Sequence, residues 1–257
     1  MSNSNFDLVL GASLSCAVFT VVKASHQTWV IYRRNKRFSI YVAMVWAEWV
    51  TSFVLCVVSW VFLKGVIMPT FGLFFSMICL WTIQMHCILQ IILNRAALLV
   101  INKHRARQLQ VGTFVIVTLI NISVFCIWIP AQMHVSDRYV HLNQVWVRVE
   151  KSLFAVIDTS LNIYFLWAVR TQLIANGLTK YRALFRCNIG MAFISISLDL
   201  ILIGSMSLPM LNYFQIHALA YLIKLHIELN LVDMMSRIVQ TTNPLNTFDL
   251  TTAPTSE

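Results

Sequence analysis

The stretch TFGLFFSMICLWTIQMHCILQIILNRAALLVI, residues 70–101, contains no acid and one strong base, Arg95. A helix that crosses a bilayer needs about 20 consecutive, mostly apolar residues. At 1.5 Å per residue this stretch would reach ~48 Å, so it is predicted to tilt or to project into the cytosol. Its apolar residues fall on both parities of the chain. A transmembrane β-strand alternates over about ten residues, so a β-barrel is excluded.

Six further apolar stretches flank it, at about 7–24, 39–63, 111–130, 152–170, 187–208 and 213–236. The chain is 58% hydrophobic and 11% charged, with a mean hydropathy of +0.73. Soluble domains carry about 25% charged residues. A disordered, collagen-like or ordinary cytosolic chain is therefore excluded, and so is a secreted disulfide scaffold, because all six cysteines lie in or beside apolar runs. The expected fold is all-α: a bundle of seven transmembrane helices over residues 1–238, followed by a disordered cytosolic tail at 239–257. The first segment lacks a basic leader and follows Asp7, so it reads as a span rather than a cleaved signal. Pro69, Pro130 and Pro209 sit at segment edges, and Pro244 and Pro254 in the tail, as expected for a residue that breaks helix interiors. In the 131–151 connection, the alternation of Val145, Val147 and Val149 reads as the start of helix five rather than as a strand.

The net charge of +9 is explained by topology. Lys and Arg number thirteen in the first, third and fifth connections plus the tail, and four in the others, Lys64, Arg138, Arg148 and Lys151. Cytoplasmic loops hold the excess of basic residues. The N-terminus is therefore expected outside or in a lumen and the C-terminus in the cytosol, in the endoplasmic reticulum or the plasma membrane. No basic helix, zinc spacing or RNA-binding signature accompanies the charge, so the partner it implies is the lipid bilayer and not nucleic acid.

Five of the ten acids fall inside apolar spans: Glu48, Asp158, Asp199, Glu228 and Asp233. A central Asp or Lys costs about 2.5 to 3.5 kcal/mol on insertion, whereas a Leu returns only about 0.3 to 0.6. Segment seven, with His217, Lys224, His226, Glu228, Asn230 and Asp233, would insert poorly alone and must be central. Helical spacing puts Tyr221, Lys224 and Glu228 on one face and His226, Asn230 and Asp233 on roughly the opposite one. Lys224 and Glu228 are spaced to pair within the helix. His86, Gln90 and Asn94 form a stripe on helix three.

Glu48, His86, Asp199 and Lys224 lie at similar depth, which points to a cavity shared by helices two, three, six and seven. The ligand-binding candidates are His86, Gln90, Asp199, Lys224 and Tyr221. Asn94, Asn121, Asn162 and Ser195 read as polar glue between helices. Cys79, His86 and Cys87 lack a fourth ligand, so no metal is expected. His134, Asp137 and His141 read as solvated loop residues. Trp46, Trp49, Trp81 and Trp146 read as packing or interface residues. No phosphate-binding, dinucleotide or nucleophile motif occurs, and no cofactor is expected.

The stretches HCILQIILNRAALL (86–99), INISVFCIWIPAQ (120–132), ANGLTKYRALFR (175–186) and AYLIKLHIELNLVDMMSRIV (220–239) resemble a family of seven-helix integral membrane proteins of filamentous fungi. The resemblance implies the same fold and a place among secondary-metabolite genes, and says little about chemistry. Lys224 in helix seven is similar to the Schiff-base lysine of retinal proteins, but helix three offers no carboxylate counter-ion. VWAEWV around Glu48, with Glu228 or Asp233, resembles the acids of fungal membrane-bound terpene cyclases of the pyripyropene type. That resemblance implies proton-initiated cyclisation of an isoprenoid. The functions expected are a receptor-like or accessory protein that binds a small, mostly apolar molecule, or a membrane-embedded terpene cyclase with Glu48 and an acid of helix seven, Glu228 or Asp233; a transporter is the third, less favoured because no internal repeat is visible.

Overall fold

The computed structural model describes residues 3–35, 39–68, 70–97, 103–133, 136–171, 182–205 and 210–248. The described residues form seven helices: α1 (Asn3–Asn35), α2 (Ile40–Leu63), α3 (Phe71–Ala97), α4 (Lys103–Gln132), α5 (Asp137–Val169), α6 (Arg182–Ser205) and α7 (Met210–Phe248). Several expectations fall outside the described residues: the end of the third segment beyond 97, Lys36, Arg37, Lys180, His134, Pro69, Pro209 and Pro254.

Helix boundaries follow from local chemistry. Ser39 caps α2, its Oγ accepting from the Tyr41 N–H at 3.4 Å. The same helix closes in a Schellman turn: Gly65 N–H donates to the Phe62 carbonyl and Val66 N–H to the Val61 carbonyl. Gly65 has φ 72°, a left-handed conformation that glycine adopts without the Cβ penalty. Pro130 does not end α4, which continues to Gln132. So near the C-terminus the missing proline N–H removes one helical hydrogen bond and leaves the turn intact. α5 starts at Asp137, so the valine alternation at 145–149 lies within a helix. Part of the expected tail is also helical, because α7 runs on to Phe248.

Six helices, α1 to α6, are long and apolar enough to cross a membrane, the mark of a multi-pass membrane protein. α7 is excluded from that group by its own ionisable residues. Large apolar side chains point outward from the bundle: Phe19, Leu119, Phe193 and Leu200 are all more than half exposed. Exposed large apolar side chains on α1, α4 and α6 suit a surface that faces lipid.

Consecutive helices pack side by side, and α1 closes the ring against α7. Two of these helices, α3 and α7, also pack against helices that are not their neighbours in the chain. α3 touches α2, α4, α5 and α7, and α7 touches α1, α2, α3 and α6. The core follows from this arrangement: Met77, Met85, Ile91 and Ile92 of α3 pack with Leu225 and Leu229 of α7 and Leu55 of α2.

Candidate functional site

The polar residues of α7 face two ways, as their spacing predicts. On one side, His226 Nδ1 lies 3.5 Å from Thr20 Oγ1 of α1. Lys23 hydrogen-bonds Asn230 and pairs with Asp233 at 3.3 Å. Gln27 donates to Asp233 at 2.6 Å and to the Leu229 carbonyl at 2.5 Å. This face is an α1–α7 seam.

The other face enters the bundle. Lys224 Nζ donates to Asp199 Oδ1 of α6 at 2.5 Å and to Asp158 Oδ2 of α5 at 3.1 Å. Ser195 donates to the same Asp158 oxygen at 3.0 Å. Glu228 pairs with Arg95 of α3 at 2.9 Å. The Arg95 guanidinium lies 4.1 Å from the centre of the Phe165 ring and donates to Asn162 at 3.4 Å. The expected Lys224–Glu228 pair is therefore not formed. Each group finds an opposite charge on a neighbouring helix, which leaves neither ion dependent on the weaker Lys-before-Glu order within one helix. Asn162 and Ser195 act as the expected polar glue.

The shared cavity expected among helices two, three, six and seven is not assembled from the four groups that suggested it. Glu48 is wholly buried and accepts from Ser52 at 3.4 Å, and Ser52 in turn accepts from Gln84 at 2.7 Å. His86 turns to α4, with Nε2 3.3 Å from Asn121 Nδ2, and Gln90 donates to the Gln110 carbonyl at 3.2 Å. The stripe of α3 thus ties α3 to α4. The reason is azimuth: adjacent helical residues differ by about 100°, so with Met85 accepting the Tyr221 hydroxyl at 2.7 Å, His86 must point elsewhere. Depth along a helix says nothing about this angle. Of the expected ligand contacts, Asp199 and Lys224 meet, and Tyr221 lies beside them, its ring 5.5 Å from Lys224 Nζ. Glu48, Glu228 and Asp233 are held in three separate hydrogen-bond or ion-pair groups.

A cavity of about 390 Å³ lies instead at one end of the bundle, between α3, α4, α5 and α7. Its deep wall carries Trp81, Trp128, Tyr213 and Phe214 together with Glu150 and Lys151, all buried. Gln144 and Arg148, which are exposed, mark the rim. Trp81 Nε1–H donates to His217 Nε2 at 3.1 Å, which fixes the indole plane. Lys151 Nζ sits 4.0 Å from the Trp81 ring centre and 3.5 Å from Glu150 Oε1. Asp199 borders a second hollow, of about 320 Å³, with Ser152, Thr159 and Ser160 on α5.

Reading the sequence missed this cavity. By sequence alone, Glu150 and Lys151 fall in the connection before segment five, and Trp81 reads as a packing or interface residue. The signal was the two adjacent opposite charges at the edge of an apolar run, but their meaning depends on where α5 begins. Among the described residues no group of three or more His, Cys, Asp or Glu is placed to hold a metal ion. Comparison with protein-family models, with characterised proteins and with solved structures finds no match.

Proposed function

We propose that this chain is a seven-span membrane protein that binds a small, mostly apolar molecule in the cavity between α3, α4, α5 and α7, in a receptor-like or accessory role. The observation that carries the reading is the cavity itself. Its volume lies within the 300–1,000 Å³ range of small-molecule sites, and it pairs aromatic walls with a few polar groups, the usual composition of such sites. The seventh span is supported by the partners of α7. Its ionisable groups are met by α1, α3, α5 and α6, so the helix does not need an apolar composition to sit within the bundle.

The test uses the full chain, purified in detergent, and a panel of isoprenols, fatty alcohols and sterols read by thermal stabilisation. At least one class should raise the melting temperature in a saturable way. Ala131→Trp, which places an indole in the cavity from α4, should abolish that stabilisation without lowering the ligand-free melting temperature by a comparable amount. Stabilisation that survives Ala131→Trp, or a panel without a single binder, would refute the reading.

A further inference from the structure

We infer that the molecule bound in this cavity carries an acidic head, a carboxylate on a single apolar chain, and that Lys151 receives it. The inference rests on the binding role proposed above and specifies the ligand's chemistry.

Lys151 is 8% exposed, yet its ammonium is poorly satisfied. An ammonium has three N–H donors and no acceptor. Its ion pair with Glu150 spans 3.5 Å, long beside the roughly 2.7–2.9 Å of a charge-assisted hydrogen bond. Its other close neighbours are the rings of Trp81 and, at 5.5 Å, Tyr213. Aromatic faces attract the charge but accept no conventional hydrogen bond. The Tyr213 hydroxyl is likewise buried on the cavity wall without a partner among the described residues. A buried donor left unmade is costly. The unpartnered Tyr213 hydroxyl, with the weakly held Lys151 ammonium beside it, therefore defines a place for an acceptor-rich group.

Charge selects the sign of that group. The lining holds Lys151 and Arg148 against one carboxylate, Glu150. Glu150 Oε1 and Asn143 Oδ1 are also without hydrogen-bond partners, and taken alone they would suit a donor. A cationic head at Glu150, however, would lie beside the Lys151 ammonium, which is 3.5 Å from that carboxylate and repels it. An anion meets the Tyr213 hydroxyl, the Lys151 ammonium and the positive balance together. The apolar part of the wall, Ile78, Val124, Trp128 and Phe214, is left for the chain. A cavity at the small end of the ligand range suits one chain rather than the two of a membrane phospholipid.

The experiment compares farnesoic acid, farnesol and farnesylamine, which share a chain and differ in the head, by equilibrium binding to the full detergent-solubilised protein. The acid should bind about tenfold more tightly than the alcohol, the size expected for a hydrogen bond to a charged group, and the amine should bind most weakly. Lys151→Met should remove the preference, so that the acid binds no more tightly than the alcohol does to the same variant. Because Lys151→Met strands Glu150, the double variant Glu150→Gln/Lys151→Met is measured beside it and should show the same loss of preference. Equal binding of acid and alcohol, or preference for the amine, overturns the acidic head and leaves apolar binding standing. Binding of dioleoyl phosphatidic acid but of none of the single-chain acids, palmitic acid included, overturns it in favour of a membrane lipid. Failure of every head and chain removes the binding role as well.

Discussion

Removing the ammonium of Lys224 would leave the buried Asp158 and Asp199 without their shared counter-charge. Stranding a buried charge costs about 3–5 kcal/mol. Lys224→Met should therefore lower the melting temperature sharply, and Lys224→Met/Asp158→Asn/Asp199→Asn should restore most of it. The same reasoning couples Arg95 to Glu228. Glu228→Leu should be severe, Arg95→Met/Glu228→Leu much milder, and Lys224→Leu added to Glu228→Leu should give no rescue, since those two groups pair with different helices. Melting curves of the five variants decide the matter. Glu48 has a different standing: its described hydrogen bond is a 3.4 Å contact to Ser52. Glu48→Gln should leave abundance unchanged, and membranes fed epoxidised farnesylated precursors should give the same products with wild type and variant. A linear precursor that accumulates only in Glu48→Gln would instead favour acid-initiated cyclisation.

The seam between α1 and α7 should behave unlike the interior pairs. Lys23 and Asp233 are each about a quarter exposed, so water shares in stabilising them separately. Pairs of that kind contribute about 0–1 kcal/mol, and Asp233→Asn should shift the melting temperature far less than Glu228→Leu. At this scale periodicity was informative. It divided α7 into the face that meets α1 and the face that meets α3, α5 and α6, and it marked α7 as central. It did not name partners, because a helical repeat fixes the direction of a side chain relative to its own axis and not which helix stands there. His86 shows the consequence: it shares depth with Lys224 but faces α4. The cavity escaped for a related reason. Its walls come from four helices, and Lys151 gains its meaning only from Trp81, seventy positions earlier in the chain.

For the molecule as a whole, the asymmetry of basic residues predicts a direction for the proposed seven-span arrangement. With seven spans, a reporter fused after Glu257 should be cytosolic and one inserted beside Ser136 should be external or lumenal, as read by glycosylation or by protease protection. The same side for both would mean that α7 does not cross. The polarity of α7 also bears on how the molecule is made. If α7 crosses as proposed, it follows six apolar helices in the chain and is too polar to dwell alone in lipid, so it would have to leave the insertion machinery against α3, α5 and α6 already gathered to receive it. Until it arrives, Arg95, Asp158 and Asp199 would lack the counter-charges that Glu228 and Lys224 supply. A ribosome stalled before residue 210 would display that defect, and the surveillance of membrane-protein assembly would have a signal, written in stranded charge, by which to tell an unfinished chain from a finished one.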